Sequence, residues 1–175
     1  DHVQNKYIKG FRMLTLSWSD GNTCLGIDFE LLSSTKGRNR YQDINSAIDK
    51  RTCGYSRRKG SLTKSTELLE PMVTRAIKAG VRAKYLLMDS WFSMPSVIER
   101  LRKHLHIICM LKDQPKWLYE YKGSKLRLSE LYRKLKKRRG KAKVKANVIV
   151  KLLNGESARI IFVSCDKKRG WLAIL

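Results

Sequence analysis

Tyr85-Leu86-Leu87-Met88-Asp89-Ser90-Trp91-Phe92 runs from an apolar stretch straight into an acid. Ala83 to Met88 is short and apolar enough for a strand. Ser93-Met94-Pro95 then opens a helix, with Ser93 in the N-cap position and Pro95 in the first turn. Val97, Ile98 and Leu101 form its apolar stripe, and His106 to Leu111 is a second apolar strand. Strand, helix, strand, with both strands apolar throughout, reads as a βαβ unit of a buried parallel sheet. Asp89 then stands at the carboxyl end of a strand, in the crevice where open α/β sheets hold ligands. The structural alternative is that Asp89 caps the next helical turn. A buried carboxylate is costly without a partner. A divalent metal would be one.

Working outward, Phe11 to Trp18 and Thr23 to Leu32 read as strands joined by the turn Ser19-Asp20-Gly21-Asn22. Residues 33–63 are polar and basic, and predict a mobile loop with a short helix near Ile44 to Ile48. A helix starts at Thr66, with Leu68, Leu69, Met72, Val73 and Ile77 at helical spacing and Gly80 at its end. Past Pro115, Trp117 to Tyr121, Lys143 to Leu153 and Arg159 to Ser164 alternate as strands do, with Asn154-Gly155 as a hairpin turn and Leu126 to Leu135 as a helix. The fold class is therefore α/β. Residues 1–113 form a mixed sheet flanked by helices, and residues 114–175 a basic, β-rich appendage.

The charge restricts the partners. There are 38 Lys+Arg against 15 Asp+Glu, a formal net charge of +23. Such self-repulsion is relieved by a polyanion, and nucleic acid or a membrane surface would serve. No apolar run approaches the roughly 20 residues that span a bilayer. Phosphate neutralisation with counterion release therefore favours nucleic acid. Cys24, Cys53, Cys109 and Cys165 stand alone, without the spacing of a zinc site with His2, His104 or His106. Reduced thiols, no signal peptide and no spanning segment predict a cytoplasmic, nucleoid-associated protein.

The order of these pieces resembles insertion-sequence transposases of the DDE class, in particular bacterial members with a β-rich insertion. The resemblance is carried by Asp1-His2-Val3, by Lys9-Gly10-Phe11-Arg12-Met13-Leu14, by the Trp18-to-Asn22 turn and by the Asp28-to-Ser34 strand end. It continues through Lys59 to Lys64, Tyr85 to Phe92 with the helix and strand that follow, and Trp171-Leu172-Ala173-Ile174-Leu175. It covers essentially the whole chain. The family implies a ribonuclease H-like fold, here partial, with residues 1–113 in the catalytic core and 114–175 in the insertion. It implies DNA cleavage and strand transfer at transposon ends with Mg²⁺ or Mn²⁺, on double-stranded DNA of the ends and the target, by a homodimer in the full synaptic complex. Asp89 matches the second acid and is the catalytic and metal-ligand candidate. The first aspartate and the final glutamate are expected outside this chain, and Glu130 and Glu156 are poor substitutes. The chain thus reads as an internal piece, inactive alone. The alternative is a non-catalytic basic DNA-binding module or a decayed remnant.

The candidate DNA contacts are Arg57, Arg58, Lys59, Lys64, Trp91, Lys136, Lys137, Arg138 and Arg139. Trp91 and Phe92 either pack beneath the loop or stack on an unpaired base. Asp28 and Glu30 are expected on the solvated face of their strand. Arg75 and Lys78 are expected on the solvent face of the Thr66-to-Ala79 helix, with Glu67, Glu70 and Glu99 as helix-surface charges.

Overall fold

The computed structural model describes residues 10–41, 43–45, 47–140, 142–165 and 170–175. Asp1-His2-Val3, Lys9 and Lys141 lie outside them. The chain divides into two compact units, Asp1–Arg82 and Ala83–Leu175.

In the first unit, the alternating stretch around Leu14 and Leu16 becomes β1 (Arg12–Ser19), antiparallel to β2 (Cys24–Leu32). Asp20 closes the turn as the sequence suggests. Its carboxylate accepts the amides of Thr23 at 2.7 Å and Asn22 at 2.9 Å, while Gly21 takes φ +100°. Those bonds hold the Asp20 carboxyl below its usual range. Trp18 donates its indole N–H to the Arg82 carbonyl at 3.0 Å.

The helix α1 (Cys53–Gly60) lies where a mobile loop is expected, and the described residues around Ile44 to Ile48 are not helical. The sequence CGYSRRKG has two glycines and no apolar stripe, so periodicity gives no signal. Local and tertiary polar contacts place it instead. Thr52 caps it by accepting the Tyr55 amide at 3.2 Å. In its last turn, Arg57 donates to the Phe29 carbonyl of β2 and pairs with Asp28 at 3.2 Å and Glu30 at 3.1 Å. The next helix, α2 (Ser65–Lys78), buries Met72 and Val73 and ends at Gly80, φ +88°. Its Arg75 meets Asp28 at 2.7 Å and Glu30 at 2.6 Å.

This cluster corrects two expectations. Asp28 and Glu30 are not on a solvated face: Glu30 is 7% exposed. Arg75 is not a free surface charge. The reason is register. Leu14 pairs with Glu30 and Leu16 with Asp28, so both acids share a face with the inward leucines. Two arginines from two helices make that burial tolerable. Burial alone would raise the Asp28 carboxyl, but hydrogen bonds from Arg75 and Arg57 outweigh it and hold it below its usual range.

The second unit is one seven-stranded mixed sheet. The apolar run gives β3 (Tyr85–Met88), followed by a 3-10 turn at Ser90–Phe92, α3 (Pro95–Leu101) and β4 (His106–Leu111). Strands β3 and β4 are parallel, with Leu87 opposite Ile108. Ser93 does not cap α3. Its hydroxyl donates to the Ser90 carbonyl at 2.8 Å, and Met94 takes the N-cap position ahead of Pro95.

Then come β5 (Tyr119–Tyr121), β6 (Ser124–Leu126), α4 (Leu128–Lys134), β7 (Val144–Lys151), β8 (Ser157–Ser164) and β9 (Trp171–Ile174). The Lys122-Gly123 turn between β5 and β6, with both residues at positive φ, carries a hairpin absent from the sequence expectation. The strand order is β3-β4-β9-β8-β7-β5-β6. The last strand therefore inserts between β4 and β8 and joins the βαβ unit to the β-rich part. The boundary expected at residue 113 falls inside this sheet.

One row crosses four strands: Leu111, Ala173, Phe162 and Ala146 are successive partners, all buried. Val97, Ile98 and Leu101 of α3 and Leu128 and Leu131 of α4 complete the core. Tyr132 of α4 packs on Phe162 and Trp171 at ring distances of 5.0 and 4.9 Å. Glu99 of α3 accepts the Asn154 amide at 3.1 Å, so it is more than a surface charge.

The opposite face of the sheet carries apolar residues as well. Met110, Ile108, Leu172 and Ile149 are exposed, and Leu87 is 73% exposed. The βαβ unit is present, but its strands are not buried on both faces. Among the described residues β3 is an edge strand and not a central one. A run of uniformly apolar residues does not distinguish one covered face from two. No helix among the described residues is long and apolar enough to cross a membrane.

Candidate functional site

Asp89 follows the last residue of β3, at the carboxyl end of the parallel β3–β4 pair. Its main-chain carbonyl accepts the Phe92 amide at 3.0 Å and starts the 3-10 turn. Its side chain makes no capping bond. The carboxylate accepts one hydrogen bond, from the Ser90 hydroxyl at 3.1 Å. This removes the capping explanation. It also removes the desolvation argument, because Asp89 is exposed and carries no burial penalty that a metal must offset.

Trp91, in the same turn, is 61% exposed and does not pack beneath the loop. The Lys112 ammonium sits 4.7 Å from its ring centroid. Lys112 follows β4 directly, so the two strand ends deliver an acid, an indole and a cation to one edge of the sheet. Sequence reading missed Lys112, since one lysine at the end of an apolar run has no distinguishing spacing. Phe92 is half-buried.

The basic candidates fall into different classes. Arg57 is committed: it bridges Asp28 and Glu30, and its guanidinium lies 4.5 Å from the Phe29 ring centroid. That arrangement leaves little of it for phosphate. Arg58 is half-buried, 6.0 Å from the Phe11 ring centroid. It lines a cavity of about 280 Å³ with Phe11, Arg40, Asp43, Ile44, Ser61 and Leu62. Lys59 and Lys64 are exposed.

Lys136, Lys137, Arg138 and Arg139 form one exposed loop between α4 and β7. Its backbone is tied down where the Arg138 amide donates to the Lys145 carbonyl at 2.7 Å. The Lys137 ammonium donates to the Arg133 carbonyl at 3.3 Å and lies 4.9 Å from the Tyr132 ring centroid. The loop thus presents four cations with no acid paired to any of them among the described residues. Asp89, Trp91 and this loop belong to the second unit; Arg57, Arg58, Lys59 and Lys64 belong to the first.

Among the described residues there is no group of three or more His, Cys, Asp or Glu side chains arranged to hold a metal. One exposed carboxylate beside a serine hydroxyl is not a donor set for Mg²⁺ or Mn²⁺, which is held through carboxylates in near-octahedral geometry. No chemical step through a metal is derived from these residues. Cys109 is buried against the core, which pushes its thiol up to about 12. Comparison with protein-family models, curated proteins and solved structures gives no match.

Proposed function

We propose that this chain is part of the catalytic region of a DDE-type DNA transposase, binding duplex DNA through its phosphates and contributing Asp89 to the acid set of the full-length protein. The observation that carries the reading is Asp89 itself: an exposed carboxylate at the carboxyl end of a parallel strand, neither capping a helix nor paired to a cation among the described residues. Neither helix capping nor ion pairing among the described residues accounts for the acid at this position. The net charge of +23 and the unpaired loop at residues 136–139 supply the DNA-binding part of the proposal.

In this reading the sheet is a partial ribonuclease H-like core with a β-rich insertion. Mg²⁺ or Mn²⁺ would act in the full-length protein together with acids beyond those described, on transposon ends and target DNA held by a homodimer. The chain itself binds and positions DNA and does not cut it. The test has two parts. The purified chain should bind duplex DNA and leave it intact with Mg²⁺ or Mn²⁺. In cells, excision of the element that encodes the protein should disappear with Asp89→Ala and with Asp89→Asn. Excision at parental level in both variants would sink the transposase reading.

A second reading is favoured by the lack, among the described residues, of a group of three or more His, Cys, Asp or Glu side chains able to hold a metal: a non-catalytic basic module that binds DNA only. It predicts the same binding and no dependence of any DNA rearrangement on Asp89.

A further inference from the structure

The carboxyl ends of β3 and β4 carry a feature that duplex binding does not use. Trp91 is a large, mostly exposed aromatic next to Asp89. An indole 61% exposed at an acid-bearing strand end gains little from burial. The backbone that carries it is nonetheless held. The turn that holds it is closed by the Phe92 amide to Asp89 and by the buried Ser93 hydroxyl to Ser90. Lys112, from the adjacent strand end, covers the ring at 4.7 Å. Among the described residues Lys112 has no carboxylate partner, and the ring is the contact the structure gives its ammonium. Asp89 would repel a phosphate arriving at this edge, and Lys112 is the cation placed to offset that.

We propose that Trp91 and Lys112 form a binding point for one unpaired nucleotide: the indole stacks on the base and Lys112 contacts the adjoining phosphate. The ligand class is single-stranded or locally opened DNA, since a base must leave its duplex stack to lie on the ring. The proposal rests on the nucleic-acid reading above and adds a strand-state preference to it. Stacking is tolerant of sequence, because every base has a π-face. The preference is therefore for unpaired over paired DNA and not for one base.

The experiment uses the full chain, without metal, and compares a 15-nucleotide oligothymidylate with a duplex of equal length. Trp91→Ala should weaken oligothymidylate binding by roughly tenfold and leave duplex binding unchanged. Trp91→Phe should retain most of the affinity. Lys112→Gln should reduce the slope of log K against log salt for the single strand by about 0.7, one contact's share. The exposure of Trp91 keeps these variants foldable, and a thermal melt of each checks it. Equal losses on both DNAs, or Trp91→Phe behaving as Trp91→Ala, would overturn the proposal. So would lower melting with unchanged affinity, which marks a purely structural cation–π pair. If duplex binding stays strong and salt-dependent while the Trp91 variants change nothing, this inference fails and the proposed function stands. If the parent chain binds neither DNA, both fail.

Discussion

Arg57 and Arg138 look alike in sequence: each is an arginine inside a basic cluster, Arg57-Arg58-Lys59 in one case and Lys136-Lys137-Arg138-Arg139 in the other. The structure gives them opposite surroundings. Arg57 faces β2, where two acids and a main-chain carbonyl take up its guanidinium. Arg138 lies in a loop whose backbone is anchored and whose side chains meet no acid among the described residues. A basic cluster thus has two meanings, a clamp or an exposed cationic surface. What decides is whether the fold brings carboxylates to it. In the first unit register put Asp28 and Glu30 on the inner face. In the second unit the neighbouring strands β7 and β8 turn apolar residues to the core.

The largest effect should come from the loop. Changing Lys136, Lys137, Arg138 and Arg139 together to Gln removes up to four phosphate contacts. The slope of log K against log salt for duplex DNA should flatten by about 3 to 4, at about 0.9 per contact. Stability should stay within about 0.5 kcal/mol of the parent. An unchanged slope in salt titrations would make the loop merely solvated and move the DNA path elsewhere, with Arg58, Lys59 and Lys64 next in line.

Arg57→Met is the converse experiment. It leaves two acids short of a partner in a mostly enclosed site, which should cost roughly 2 kcal/mol, below the usual range for a fully buried pair because Arg75 remains and is half in water. Urea unfolding of the first unit measures it. The duplex slope should barely change. A large slope change with no loss of stability would reverse the roles assigned to the two clusters.

Acid should strain the clamp and spare the loop. The folded-state pKa of Asp28 is depressed, so its contribution is fully present above the unfolded value of about 3.9 and is lost as pH falls through the folded value. Stability of the first unit should therefore fall below about pH 4, and Asp28→Asn should remove that part of the pH dependence. A parent and a variant with superimposable acid titrations would discount the clamp. Thiol labelling separates the units in the same experiment. Burial pushes Cys109 up to about 12, so it should resist modification at neutral pH until the second unit opens, while exposed Cys24 and Cys53 react at once.

The smallest effect is the control. Lys78→Gln alone, on the last turn of α2, should move stability by less than about 0.5 kcal/mol and the slope by no more than one contact. Arg75 does not belong beside it as a surface control, because it holds Asp28 and Glu30. A Lys78 effect as large as that of Arg57→Met would mean that general charge, not the clamp, sets stability.

Sequence by itself determined the local elements whose signals are local. Asp20 and Gly21 fix the β1–β2 turn and Asn154-Gly155 the β7–β8 turn, because those residues satisfy turn amides or adopt positive φ cheaply. The apolar period and Gly80 fix α2. Tyr85 to Met88, followed by Pro95 and the His106-to-Leu111 run, fixes a βαβ unit and places Asp89 at a strand end. Tertiary structure alone decided the rest. The helix at Cys53–Gly60 has no period to read and exists through the Thr52 cap and the Arg57 bridges. The burial of Glu30 follows from cross-strand register, which pairs residues some 16 positions apart. The insertion of β9 between β4 and β8 is a long-range choice that composition does not encode. The edge position of β3 likewise depends on which strands find partners, and an apolar run reads the same with one face covered or two. The meeting of Lys112 with Trp91 follows from that sheet geometry as well: the two residues lie on different strand ends, and only parallel pairing brings those ends together.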